Sequence, residues 1–245
     1  MPQATVEGLI LGTMPTGEQD KIVHLLARES GLMRGIAPGA LKTGNRFGSL
    51  LEPFTLGSFQ YHWNQERELI TLTRGDLLRT FFPLISRTDA VFVFGLIAEM
   101  VLRFVPHGQP SPRHFRLLLA LLDAGEQGGS LPHLLLYFLT WALRLEGCLF
   151  NTTRCTSCGA PIAESAWLME TCSGIVCPRC RRGERVPLSA RELTFLEWTL
   201  RHPPSALEPW HELVSPPSLA RALVRCVEHH GDLSLKTASC LPLLR

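Results

Sequence analysis

Two short stretches decide how this chain is read: Arg154–Pro161 (RCTSCGAP) and Cys172–Cys180 (CSGIVCPRC). Five of the eight cysteines fall within the 27 positions from Arg154 to Cys180. Cys155 and Cys158 form one C-x2-C, and Cys177 and Cys180 form a second, with 18 residues between the pairs. That interval lies in the zinc-ribbon range. Two thiolates three positions apart on a tight turn reach one ion, and two such knuckles complete a tetrahedron of about 2.3 Å bonds. Gly159 and Gly174 sit beside the knuckles and suit sharp turns. Two disulfides or free thiols are the alternatives, and the doubled spacing favours structural Zn2+. Four thiolates fill the coordination sphere, so such an ion has no position left for a reactive water. Cys172 fits neither pair and reads as a spare thiol. Cys148, Cys226 and Cys240 lie in apolar surroundings and read as core residues.

Outward from the cysteines, the chain divides by texture. Its 245 residues are 45% hydrophobic, enough for packed cores. No apolar run approaches the roughly 18 residues of a membrane span, and no signal peptide is visible. A reducing cytoplasm is the expected compartment, where cysteine clusters hold metal more often than they form disulfides. Residues 1–80 read as short strands at Thr5–Met14, Lys21–Arg28, Leu32–Ala37, Thr55–Trp63 and Glu68–Arg74, a small barrel. Phe59, Tyr61 and Trp63 alternate onto one face, as core or as a stacking platform. Asn64–Arg67 is a polar hairpin connection, and Gly39–Ser49 (GALKTGNRFGS) is a basic loop. Helices are expected at Asp89–Val105, from Ser111-Pro112 to Gly125, at Leu131–Glu146, after a capping box at Ser189–Glu192, and at Ser218–His230. The cysteine segment therefore interrupts a helical region. The expected division is 1–80 barrel, 81–150 first helical part, 151–187 zinc ribbon and 188–245 second helical part, an α+β multidomain chain.

Net charge is only +2 and names no partner. Its excess lies in residues 151–190, with five basic and three acidic groups. Between Ser30 and Leu51, Arg34, Lys42 and Arg46 stand without an acid. A nucleic-acid groove needs such cations with aromatic platforms. Candidate DNA contacts are Lys21, Arg34, Lys42, Arg46, Arg74 and Arg79 on the barrel, and Arg179, Arg181, Arg182 and Arg185 around the second knuckle. Two separate basic sites would suit two strands. Enzyme signatures are missing: there is no Walker loop, G-x-G-x-x-G or G-x-S-x-G, and no H-x-E precedes a P-C-x-x-C as a zinc deaminase requires.

The order of several motifs resembles one family. These are Gly17-Glu18 with Asp20-Lys21-Ile22-Val23, Gly31-Leu32 leading to Ala37-x-Gly39-Ala40, Leu51-Glu52-Pro53-Phe54, ELITLT, RLEGC, the C-x2-C with Gly159, GIVCPRC and the closing LKTAS. Together they resemble the RecO family of bacterial recombination mediators over essentially the whole chain. The resemblance implies an N-terminal OB-fold, a helical domain and an inserted four-cysteine zinc ribbon. It implies a non-enzymatic, cytoplasmic, nucleoid-associated protein that binds single- and double-stranded DNA and anneals complementary strands. With RecR, it would help load RecA onto strands coated by single-strand-binding protein. Pro38 and Leu41 stand where the family usually has basic residues, which leaves Lys42 and Arg46 in that loop. Some relatives lack the cysteines, so the ion would support the fold. A different reading is a zinc-ribbon scaffold that docks proteins and touches DNA only incidentally.

Overall fold

The computed structural model describes residues 3–64, 69–183 and 186–241. The expected Asn64–Arg67 hairpin lies largely outside them, as do the first residue of the fifth expected strand and Arg185. The described chain forms two compact units, one of residues 1–94 and 98–122, the other of residues 95–97 and 123–245.

The first unit is built on five strands: β1 (Gln3–Thr16), β2 (Asp20–Ala27), β3 (Gly31–Ala37), β4 (Thr55–Asn64) and β5 (Leu69–Thr80). They close into a barrel in the order β1-β2-β3-β5-β4, an OB-like arrangement. All pairings are antiparallel except β3–β5, which closes the barrel through Gly35↔Ile70 and Ile36↔Thr71. Inward residues such as Ile10, Val23, Leu25, Phe59, Ile70 and Leu72 fill the interior. They alternate with outward ones because side chains of a strand point to opposite faces in turn. Strand β5 runs six residues beyond the expected end at Arg74. Past the barrel, a short helix α1 (Phe82–Ile85) leads into α2 (Thr88–Phe104).

Helix α3 spans Pro112–Glu126, with Pro at its first position where the missing N–H costs nothing. The Ser111 hydroxyl, just before the helix, donates to the Gln109 carbonyl 3.1 Å away.

In the second unit, α4 (Leu131–Leu145) is apolar on nearly every side and is almost wholly buried. It packs against α5 (Ala190–Thr199) and α6 (Pro216–Gly231). Buried polar tips on α4 are satisfied. The Tyr137 hydroxyl donates to the His202 carbonyl at 2.8 Å, and the Trp141 indole N–H donates to that of Thr199 at 3.0 Å. His133 bridges the Ser130 hydroxyl at 2.8 Å and the Val214 carbonyl at 3.2 Å. The capping box at Ser189 is present, with Glu192 N–H donating to Ser189 Oγ at 3.3 Å and Ser189 N–H donating to Glu192 Oε2 at 2.8 Å. Strands β6 (Ser165–Leu168), β7 (Ile175–Val176) and β8 (Val186–Ser189) form a small sheet ordered β7-β6-β8. Strand β8 runs straight into α5, so the ribbon is threaded into the helical unit.

Burial holds His133 below the usual histidine range, partly offset by its bond to the Val214 carbonyl. The unfolded histidine, near 6.5, therefore takes its proton first on acidification. This contribution to stability is complete above pH 6.5 and is lost as pH falls below it. A His133→Gln variant is expected to lose less stability than the parent between pH 7.5 and pH 5.5. Urea midpoints of the two proteins across that range check it, and equal losses would refute it.

Candidate metal and nucleic-acid sites

Cys155, Cys158, Cys177 and Cys180 converge, with all four Sγ atoms within 4.8 Å of one another. A tetrahedron of about 2.3 Å metal–sulfur bonds has edges of about 3.8 Å. The Cys158–Cys177 sulfur separation is 3.9 Å. The donor set therefore fits one tetrahedral metal ion.

Local backbone builds the knuckles. Gly159 takes φ +71°, a left-handed value natural to glycine, and donates to the Cys155 carbonyl at 2.9 Å. In the second knuckle, the N–H groups of Cys180 and Arg181 both donate to the Cys177 carbonyl, at 3.0 and 3.1 Å. Cys177 N–H points at Cys155 Sγ, 3.4 Å away. Burial raises the Cys155 thiol, but the N–H groups of Cys177, Cys158 and Ser157 outweigh it and hold it at about 6. The Cys158 thiol, followed by Cys177, pushes Cys180 up to about 12. Thiols this close resist ionising in succession, and a dication at their centre removes that resistance.

Cys172 stays outside the cluster. It sits at φ +53° in the turn between β6 and β7, fully buried, with its thiol beside that of Cys226 on α6. Cys226 is core as expected. Cys148 is half-buried and Cys240 exposed, which corrects the reading of both as core residues.

The cationic candidates divide into groups. Lys42 and Arg46 meet on one cleft of about 480 Å³, lined also by Gln19, Asp20, Pro38 and Gly39. The basic loop is tied down there: Gly39 N–H donates to Asp20 Oδ1 at 2.8 Å, and Asn45 Oδ1 accepts from Phe47 and Gly48 N–H at 2.9 and 3.0 Å. Arg46 lies over the Phe47 ring, 5.0 Å from its centroid. Lys21 opens β2 opposite Ala37, the residue from which the loop departs. Arg34 is exposed on β3 and lines a different cleft. Arg74 and Arg79 are exposed on β5, with Arg79 over Phe81 at 4.3 Å. Neither lines the clefts that hold Arg34, Lys42 and Arg46. Arg179, Arg181 and Arg182 are exposed at the second knuckle, and Arg181 stacks over Trp167 at 4.7 Å. The aromatic row splits: Phe59 is core, Tyr61 is half-buried against it, and Trp63 is 46% exposed. One participant was not read from the sequence: His107, whose segment lies along β3.

An OB-like barrel carrying a cationic loop, joined to a helical unit that holds a four-cysteine ribbon, defines an α+β chain with a candidate structural metal site. Comparison with known proteins narrows this. The family description "Recombination protein O N terminal" matches residues 1–81, and "Recombination protein O C terminal" matches residues 86–238. The chain is 32% identical to the DNA repair protein RecO of Anaeromyxobacter dehalogenans, covering 94% of this chain and 92% of that one. It is 30% identical to that of Koribacter versatilis, covering 97% and 98%. It is 35% identical to that of Geobacter metallireducens, covering 74% of each. The chain belongs to the RecO family of DNA repair and recombination proteins. Among the described residues no helix is long and apolar enough to cross a membrane.

Proposed function

We propose that this chain is a recombination mediator that binds single- and double-stranded DNA and anneals complementary strands. With RecR, it helps load RecA onto strands coated by single-strand-binding protein. The observation that carries this reading is the closed OB-like barrel with Lys42 and Arg46 converging on one anchored cleft. The relatives' name, DNA repair protein, is consistent with it. Phosphates bound there would displace counterions and make affinity fall with salt. The arginines at the second knuckle, Arg179, Arg181 and Arg182, with Arg185 close by in the sequence, would form a second cationic site in the other unit. A site in each unit gives annealing two strands to hold. The four cysteines hold Zn2+ as a structural ion, and the activity needs no nucleotide turnover. In this reading 1–80 is the DNA-binding domain, and the helical parts 81–150 and 188–245 flank the ribbon at 151–187.

The deciding experiment is annealing of complementary oligonucleotides coated with single-strand-binding protein, across a salt series and without nucleotide. Acceleration that fades with salt supports the mediator. No acceleration at any salt leaves the scaffold reading, which the small net charge of +2 favours. A double substitution, Arg34→Ala with Arg46→Ala, is expected to weaken single-strand binding. It should also flatten the slope of log affinity against log salt by about 1.4, roughly 0.7 per lost contact. An unchanged slope would move the site to the ribbon arginines.

A further inference from the structure

Among the described residues, β3 pairs with β5 in parallel through Gly35↔Ile70 and Ile36↔Thr71. A strap from the segment after α2 lies along the start of β3. His107 pairs with Leu32, and Gly108 N–H donates to the Leu32 carbonyl at 2.9 Å. Gly31 makes the strap possible. It takes φ +68°, and a side chain there would collide with the Gln109 carbonyl.

Between strap, β3 and the end of β4 lies a cleft of about 260 Å³. Tyr61 and Trp63 line it from β4, Leu32, Met33 and Arg34 from β3, and His107 from the strap. Trp63 pairs directly with Ile70, which in turn pairs with Gly35, so the end of the aromatic row stands beside the β3–β5 seam. His24, opposite Arg34 on β2, is held below the usual histidine range by burial first, then by Arg34 and His107. Arg34 supplies the positive charge at the rim of the cleft.

Three clefts differ in chemistry. The cleft of about 480 Å³ at Lys42 and Arg46 has cations and an acid but no aromatic ring. A third, of about 350 Å³ in the helical unit, is lined by Glu208 and His211 with no arginine or lysine, which is wrong for a polyanion. Of these three, the Trp63 cleft is the one that combines flat aromatic faces with an arginine. Its volume falls just below the 300–1,000 Å³ typical of sites for drug-sized ligands. That suits a single planar heterocycle. Every base offers a π-face, so such a platform tolerates sequence.

We propose that this cleft seats one unstacked nucleobase of a single strand against Trp63 and Tyr61, with Arg34 on the adjoining phosphate. The proposal rests on the DNA-binding reading and deepens it: the Lys42–Arg46 cleft follows the backbone and the Trp63 cleft grips a base. The test compares oligothymidylate with an abasic oligomer of equal length, which carries the same phosphates without bases. Fluorescence anisotropy gives both affinities for the parent, Trp63→Ala and Trp63→Phe. The parent is expected to bind oligothymidylate about tenfold tighter than the abasic strand. Trp63→Ala should erase that gap and leave abasic affinity unchanged, which also shows that the barrel is intact. Trp63→Phe should keep most of the gap. A gap that survives Trp63→Ala, or no gap in the parent, overturns the base seat while DNA binding stands. Failure of the parent to bind either oligomer at low salt overturns the DNA-binding reading, and the base seat with it.

Discussion

Cys177→Ser is expected to abolish metal binding and melt the ribbon, with a stability loss of more than about 4 kcal/mol, in the range reserved for lost metals and broken cores. The ribbon's own sheet is small. Its three strands are four, two and four residues long, below what a sheet needs to stand alone. One cluster of its buried residues is Cys155, Val176 and Cys177, two of them from the candidate donor set. Structural zinc in small domains contributes on the order of 10–16 kcal/mol of apparent binding energy, more than the burial of a few apolar side chains supplies. Serine's hydroxyl stays protonated near neutral pH, so the variant offers three thiolates and no compensating anion. The damage should extend into α5, because β8 ends on Ser189, the residue that caps that helix. Metal per chain by atomic emission, read with the melting curve, checks this. Cys172→Ser is the control, since its sulfur lies outside the cluster, and it should retain full metal. An unchanged stoichiometry in Cys177→Ser would remove it from the ligand set.

That cluster was legible because both knuckles are local. A C-x2-C turn needs only its own few residues, and the spacing between pairs reports that a ribbon joins them. Helix ends were legible for the same reason: the capping box at Ser189 and the prolines at helix starts act within one turn. The bounds of β2 and β3 fell within a residue of those expected, because glycine and polar turn residues punctuate both strands. The strand pattern failed at the end of β5, where the pairing slips between Leu56↔Arg79 and Gly57↔Leu77. That bulge leaves Leu77 and Leu78 both exposed, at 52% and 53%, so period two is broken within a genuine strand. The Trp63 cleft was beyond a local reading. It depends on His107 pairing with Leu32, 75 positions earlier in the chain. The aromatic row itself could be read, but burial varies along it with distance from the barrel mouth, and alternation carries no information on depth. Arginine count was equally blind to position: Arg34 and Arg46 are 12 residues apart in sequence yet line different clefts.

Gly35→Ala is expected to loosen the barrel where β3 meets β5. Gly35 pairs with Ile70 at one of the two rungs that join β3 to β5 among the described residues. A Cβ at Gly35 would lie 2.9 Å from the Ile70 carbonyl oxygen and 2.5 Å from its Cγ1. The isoleucine side chain is fully buried and has nowhere to retreat, and the carbonyl belongs to the ladder itself. Relief therefore requires β3 and β5 to part. Overpacking of a tight core costs typically about 1–3 kcal/mol, and losing the closing rung adds the exposure of an unpaired strand edge. The expected loss is at least about 3 kcal/mol, with weakened single-strand binding, since Arg34 and the Leu32–His107 contact adjoin the same rung. Gly12→Ala supplies the contrast. A Cβ at Gly12 on β1 meets nothing within 4 Å, and its φ is not left-handed, so the change should be neutral or gain up to about 1 kcal/mol through the unfolded chain. Denaturant midpoints of the three proteins decide it. If Gly35→Ala unfolds alongside Gly12→Ala, the barrel is not held shut at this rung, and the cleft beside it does not owe its shape to the short β3–β5 ladder.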